Sequence, residues 1–451
     1  MNSVNKIISK ITSGNQRSVA VKKNILASFL IKGVSVLTSL LLVPLTIGYV
    51  SAELYGVWLT LASILTWLSF MDIGFSQGLK NKLTEAIAND DWEKGKALVS
   101  TTYGMMIFIM VPVCVLLECA IPFVNWTALL NVNPIYSEEI VNAMYVCIAF
   151  GCLQMIVNVL VSVVAAFQKV ALSNSFLVIG NVISLLLIFI LKIMVPPSLV
   201  VLACTLAAMP ILVTIIASFI LFNGKFKRVA PNISYFNKSY IKELFGLGYK
   251  FFIINIQVLV LYQSTNVLIS NISSPMEVTT YNLAYKLLNV AMMIYTMITA
   301  PLWPAYTDAY ARGDYDWMKN MRKKMTKILL FSMSMCILIT LLSPYIYKIW
   351  VGDSVEVPFT MTSMVCLYVM AYCWMQLNGT FVVGMGKIKL ETIITVIGMI
   401  CHIPLSYLLS NYIGCYGVIC SMILINIFYA VIQHIQTTML LERRAVGIWN
   451  K

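Results

Sequence analysis

The sequence predicts an all-α membrane protein of twelve transmembrane helices, arranged as two homologous six-helix lobes around a central cavity. Three observations predict it. The chain of 451 residues is 60% hydrophobic with only 11% charged residues and a mean hydropathy of +0.86, whereas a soluble domain carries about 25% charged residues. Too few polar residues remain to cover an aqueous surface, so lipid is the expected solvent. Apolar stretches near the roughly 20 residues that a bilayer-spanning helix needs recur along the whole chain. The basic residues fall in alternate connections between those stretches.

Twelve spans can be placed, at 24–48, 55–78, 98–123, 139–166, 175–195, 199–222, 244–270, 278–302, 327–350, 359–385, 392–410 and 416–440. With the N-terminus cytoplasmic, the inside segments hold 26 of the 31 Lys and Arg residues. The outside loops hold none, but carry Glu53, Glu138, Glu139, Glu277, Asp353 and Glu356. A bias of this size orients both termini toward the cytoplasm. The expected organisation is a cytoplasmic segment 1–23, an N-lobe 24–222, a cytoplasmic linker 223–243, a C-lobe 244–440 and a cytoplasmic tail 441–451.

An internal repeat supports two lobes. Thr84-Glu85-Ala86-Ile87-Ala88-Asn89-Asp90-Asp91-Trp92 and Thr307-Asp308-Ala309-Tyr310-Ala311-Arg312-Gly313-Asp314-Tyr315 share the pattern Thr-acid-Ala-x-Ala-x-x-Asp-aromatic at an offset of 223 residues. Val178-Ile179-Gly180 recurs as Val396-Ile397-Gly398 at an offset of 218, and its lead-in Val163-Val164 before Lys169 resembles Val382-Val383 before Lys387. Six helices per repeat is an even number, so both halves take one orientation. Transporters built this way carry their site between the repeats and rock one against the other.

Five lysines lie within the apolar segments: Lys32, Lys192, Lys250, Lys286 and Lys348. A mid-membrane lysine costs at least about 2.5–3.5 kcal/mol on insertion scales and therefore faces a bundle interior or a wet cavity. Lys192 and Lys348 sit near outer span ends, where a long side chain reaches the interface. Lys32 and Lys250 are separated by 218 residues, the repeat offset, which places one in each lobe at equivalent positions. Their faces are polar. Lys250, Gln257, Ser264 and Asn271 recur every seven residues, and Lys32, Ser35, Ser39 and Thr46 share one side of span 1. Asn282, Lys286, Asn289 and Thr296 form a further stripe, as do Tyr368, Tyr372 and Gln376 in span 10, and Gln154 and Asn158 in span 4. Such stripes describe a hydrated cationic cavity. Lys suits phosphate as a point charge, while Asn, Gln, Tyr and Ser suit a polyhydroxyl group. The membrane-embedded acids are Asp72 and Glu118, candidates for ion coupling or for a structural ion pair such as Asp72 with Lys32.

Other classes are disfavoured. The positive charge is split among short loops, unlike a nucleic-acid-binding patch. The basic N-terminal stretch and the near-span-length apolar run after it do not read as a cleavable signal peptide. The eleven cysteines form no CxxC pair, so neither a disulfide framework nor a metal site is expected, and His402 stands alone in span 11. No cofactor is implied. No Walker A pattern is present, so another drive than direct ATP use is expected. A membrane polymerase or transferase would need substantial catalytic outside loops, and these are short.

Pro44-Leu45-Thr46-Ile47-Gly48 leading into Glu53-Leu54-Tyr55-Gly56, and Asp72-Ile73-Gly74-Phe75 before a Thr-Glu-Ala loop, resemble the oligosaccharide flippases of O-antigen synthesis. These belong to the polysaccharide transporter branch of the multidrug/oligosaccharidyl-lipid/polysaccharide exporter superfamily, whose fold is MATE-like. The resemblance implies movement of undecaprenyl-pyrophosphate-linked repeat units across a bacterial inner membrane, with membrane lipids and the polysaccharide polymerase machinery as partners. It matches Lys32 and Lys250 to that family's basic residues of spans 1 and 7, and Asp72 to an acid near the inner end of span 2. Family members often carry Arg in the cavity. This chain has only Lys there, which cannot form a bidentate fork. The rival within the superfamily is a cation-coupled multidrug exporter, which calls for buried carboxylates.

Overall fold

The computed structural model describes residues 16–72, 74–245, 259–299 and 302–450, and every regular element among them is helical. In the first half these are α1 (Gln16–Ile47), α2 (Ala52–Leu68), α3 (Phe75–Ala88), α4 (Trp92–Ala120), the short α5 (Trp126–Leu130), α6 (Ser137–Val157), α7 (Val159–Ala166), α8 (Val170–Met194) and α9 (Leu199–Asn223). The second half contains α10 (Thr265–Ile272), α11 (Pro275–Thr299), α12 (Leu302–Ala311), α13 (Tyr315–Trp350), α14 (Phe359–Gly384), α15 (Lys389–Ile413) and α16 (Tyr416–Leu441). Nine helices among the described residues are long and apolar enough to cross a membrane.

The remaining expected spans are irregular or polar. Span 2 is broken: α2 passes through a 3-10 turn at Ser69–Asp72 before α3 begins. Both Asp72 carboxylate oxygens lie 3.1 Å from the Ser76 N–H, satisfying a donor in the first turn of α3 that has no partner within the helix. Span 7 falls partly outside the described residues, and its described part is a π-turn, Leu259–Gln263, followed by α10. Helix α11 has the length but carries the polar stripe of Asn282, Lys286 and Asn289. Span 4, one of the nine, divides at Asn158 into α6 and α7.

The chain forms two compact units. One comprises Met1–Ser51, Ile64–Thr127 and Asn133–Ile256, and the other Ala52–Ser63, Ala128–Val132 and Gln257–Lys451. Within the first, α9 packs on α6 and α8, and α1 packs on α8. Within the second, α16 packs on α14 and α15, and α14 also receives α11, α12 and α13.

The repeat is present at the level of single hydrogen bonds. Thr84 Oγ1 donates to the Ala166 carbonyl at 3.3 Å, and Thr307 Oγ1 donates to the Gly384 carbonyl at 2.8 Å. Asp91 N–H reaches the Ala86 carbonyl and Asp314 N–H the Ala309 carbonyl, both at 2.9 Å. The Asp91 carboxylate caps α4 by accepting from Lys94 N–H, and the Asp314 carboxylate caps α13 by accepting from Trp317 N–H, both at 3.0 Å. Asp90 and Gly313 both take positive φ, at 55° and 71°. Lys169 N–H to Val164 O (3.2 Å) is matched by Lys387 N–H to Val382 O (3.1 Å).

Candidate functional site

The second unit brings three groups of polar side chains together around α11. The N-terminal end of α11 crosses α2 closely: Thr279 Oγ1 donates to the Ala52 carbonyl at 2.6 Å. A Cβ at Gly56 would collide with the Pro275 carbonyl, so only glycine permits this approach. The crossing sets Tyr55 beside Lys286. Lys286 Nζ donates to the Tyr55 hydroxyl at 3.0 Å and lies 5.7 Å from the ring centre, within cation–π range. The ion pairs among the described residues do not include Lys286, so a half-buried ammonium is held here by neutral groups.

One turn earlier on the same face, Asn282 Nδ2 donates to Asn266 Oδ1 at 2.8 Å, and Asn266 Nδ2 donates to Ser63 Oγ at 2.8 Å. This chain of amides ties α11, α10 and α2 together. Asn289, the next turn on from Lys286, is half-buried.

A file of tyrosines runs alongside. Tyr281 stacks on Tyr285 with centroids 6.0 Å apart, Tyr285 meets Tyr368 at 6.3 Å, Tyr368 meets Tyr372 at 6.4 Å, and Tyr372 meets Tyr262 of the π-turn edge-on at 6.0 Å. Tyr262 also donates to Asn426 Oδ1 at 3.4 Å. Gln376 follows Tyr372 one turn later and is half-buried. The expected stripe of span 10 is therefore part of a larger aromatic array. Tyr262, Tyr281 and Tyr285 were not among the sequence candidates, although Tyr281–Tyr285 and Tyr368–Tyr372 share an i,i+4 spacing that puts both rings of each pair on one helix face.

In the first unit, Lys32 is exposed on α1. At 100° per residue, it lies on the side of Ser39, Val43 and Thr46 and opposite the exposed Leu30, Val34, Leu37 and Leu41. The apolar exposed face is thus not the lysine face. The expected Asp72–Lys32 pairing is not among the ion pairs of the described residues; Asp72 caps α3 instead. Gln154 Nε2 donates to Asn158 Oδ1 at 2.6 Å where α6 gives way to α7. Glu118 is half-buried, with the Cys114 thiol 3.6 Å away. Lys250 and Gln257 lie outside the described residues.

Sequence reasoning also missed Glu391. Span 11 was expected to start at 392, but α15 begins at Lys389, and Glu391 Oε2 is buried without a hydrogen-bond partner. His402 is fully buried, with Nδ1 3.0 Å from Ser421 Oγ. No cluster of three or more metal-ligating side chains occurs among the described residues.

This fold is shared with solved transporters. An inward-facing multidrug resistance MATE family transporter of the MOP superfamily superposes with a TM-score of 0.78 at 12% identity, covering 91% of this chain and 95% of that one. An outward-facing MATE family transporter of the same superfamily gives 0.65 at 14% identity, covering 96% and 98%. MATE in a straight conformation gives 0.64 at 13% identity, with the same coverage. No curated protein matches the chain by sequence. Family comparison matches the description "Polysaccharide biosynthesis protein" to residues 21–310 and "MatE" to residues 251–408.

The fold is that of the MATE family transporters, and several of its helices are long and apolar enough to cross a membrane. The chain belongs to the polysaccharide biosynthesis protein family.

Proposed function

We propose that this protein is a flippase for lipid-linked oligosaccharides. It moves undecaprenyl-pyrophosphate-linked repeat units of a surface polysaccharide from the cytoplasmic to the periplasmic leaflet of a bacterial inner membrane. Both termini are cytoplasmic in this reading. Lys32, Lys250 and Lys286 receive the pyrophosphate, and Gln154, Gln257, Asn289, Tyr372 and Gln376 contact the sugars. Access alternates between the two sides by rocking of an N-lobe (24–222) against a C-lobe (244–440).

The observation that carries the reading is the Lys286–Tyr55 pair beside the tyrosine file. A lysine held by a hydroxyl, without a carboxylate beside it among the described residues, keeps its charge available to an anion. Tyrosine rings supply apolar faces for sugar rings and hydroxyls for their polar edges. The match of the polysaccharide biosynthesis family to residues 21–310 supports the same substrate class.

A second reading, a cation-coupled multidrug exporter, draws on the MatE match to residues 251–408 and on the buried Glu391 carboxylate. Deletion of the gene separates the two. The flippase reading expects undecaprenyl-pyrophosphate repeat units to accumulate on the cytoplasmic side with loss of surface polysaccharide, restored by the wild-type gene but not by Lys286→Gln. Normal surface polysaccharide with raised sensitivity to cationic drugs transfers the assignment to the exporter.

A further inference from the structure

Helices α4 and α13 hold equivalent places in the two repeats, each capped by the aspartate before it. Shifting α4 by the repeat offset of 223 sets Lys96 on Lys319, Ser100 on Lys323, Thr101 on Lys324 and Gly104 on Lys327. In the first unit these four positions seat the segment 232–237. Asn232 N–H donates to Ser100 Oγ at 3.0 Å, Asn237 N–H donates to Thr101 Oγ1 at 3.1 Å, Lys96 lies 4.3 Å over the Tyr235 ring, and the Phe236 ring fills the space beside Gly104. In the second unit all four positions are lysine, and all four are exposed. A face that binds backbone in one repeat has become four ammonium groups in the other.

We propose that this lysine face of α13 is a binding site for the headgroups of anionic phospholipids. None of the four lysines belongs to an ion pair among the described residues, although Lys319 shares a surface depression with Asp314, Asp316 and Glu442. Arg322, the remaining cation of the segment, is turned away and donates to Thr438 Oγ1 at 2.9 Å and lies 3.1 Å from His434 Nδ1. The 36-residue α13 is about 54 Å long at 1.5 Å per residue, well beyond a hydrocarbon core of about 30 Å, so its lysine end reaches the headgroup layer.

The rest of the same face favours lipid over an acidic protein. From Lys327 it continues every three or four residues through Phe331, the exposed Ser334, Leu338, Leu341 and Tyr345, and its four large hydrophobic members are at least 56% exposed. A cationic patch leading into an exposed, largely apolar stripe matches a phospholipid in its own order, anionic head and then apolar tails. Basic clusters next to a membrane span attract anionic lipid at about 1 kcal/mol per residue.

Native mass spectrometry of the detergent-purified protein with phosphatidylglycerol or phosphatidylcholine tests this. The wild type retains phosphatidylglycerol in preference. Combining Lys323→Ser, Lys324→Thr and Lys327→Gln lowers that preference roughly 100-fold, the factor that three such residues convert to. Replacing all three by Arg keeps it. Should the combined variant fail to fold, Lys327→Gln alone still lowers the preference about fivefold. An unchanged preference in the variants overturns the site. So does a wild type with no lipid preference that instead binds polyglutamate through these lysines, which would make the face a protein-docking surface.

Discussion

Lys286 and Tyr55, 231 residues apart, meet at 3.0 Å through an ammonium–hydroxyl hydrogen bond. The pair fixes the lysine head without neutralising it, so its charge is not spent in an ion pair among the described residues. Lys286→Gln is expected to lower transport by at least about tenfold, since a charge-assisted hydrogen bond to substrate contributes roughly 1.5–3 kcal/mol. Tyr55→Phe leaves the charge but frees its head, and should have a smaller effect. Translocation of a fluorescent lipid-linked oligosaccharide in proteoliposomes measures both. Equal activity of all three proteins would remove Lys286 from the site.

Gly56 makes that meeting possible. Gly56→Ala forces a methyl group against the Pro275 carbonyl and should destabilise the second unit by roughly 1–3 kcal/mol, the range for overpacking a tight contact. Thermal unfolding in detergent reads this directly. A variant as stable as the wild type would mean that the α2–α11 crossing has room to spare.

The repeat predicts matched costs. Asp91→Ala and Asp314→Ala each remove a cap from equivalent helices, with acceptor distances of 3.0 Å in both. Each should cost about 1 kcal/mol of stability. Hydrogen exchange of the first turns of α4 and α13 should rise by similar factors. A large effect at one site and none at the other would break the equivalence.

A pH dependence arises from Lys169, which joins α7 to α8. Burial and the neighbouring Lys225 bring its ammonium down to about 8. An unfolded lysine titrates near 10.4. Below about pH 8 both states are protonated and the folded state bears the full cost of the buried, repelled charge. Between about 8 and 10.4 the folded state loses its proton first, the unfolded chain binds more protons, and stability rises with pH. Acylation of Lys169 should therefore reach half its maximum near pH 8, and Lys225→Gln should move that point upward. An ordinary lysine profile in the wild type would refute the contact.

Glu243 shows how closely the segment after α9 is tied down. Burial pulls its carboxyl upward, but hydrogen bonds from Lys82 and Lys94, at 3.1 and 3.2 Å, outweigh this and hold it below the usual carboxylate range. Lys94 also lies 5.8 Å from the Tyr240 ring, and Arg228 lies 5.1 Å from the Trp92 ring. The segment 223–243, expected as a cytoplasmic linker, makes these contacts within the first unit.

Several features were legible in the chain. The Thr-acid-Ala-x-Ala-x-x-Asp-aromatic pattern recurs because its matched positions make the same bonds in both repeats, the aspartates locally and the threonines to carbonyls 82 and 77 residues on. Thr84 and Thr307 hook a helix end, and Asp91 and Asp314 cap the next helix. Tyr368, Tyr372 and Gln376 were legible as a stripe because helical spacing alone sets a face. Their partners Tyr281, Tyr285 and Tyr262 were not, since ring contacts between helices depend on how each helix is rotated. Asp72 looked like an ion-pair candidate, yet the break in span 2 gave its carboxylate a nearer donor in Ser76 N–H. Glu391 looked like a loop residue because a boundary shift of three residues decides whether a carboxylate is solvated or buried.

By itself the sequence determined the solvent, the helical class and the twofold repeat, because composition, period and offset are properties of neighbours along the chain. Only the tertiary structure decided that Lys286 would meet Tyr55 and that the tyrosines would join in one file. It alone showed that one repeat covers a helix face with its own backbone while the other leaves four lysines bare. Those outcomes turn on close approach between residues hundreds of positions apart, and an ångström of approach or a third of a turn of rotation changes the partner.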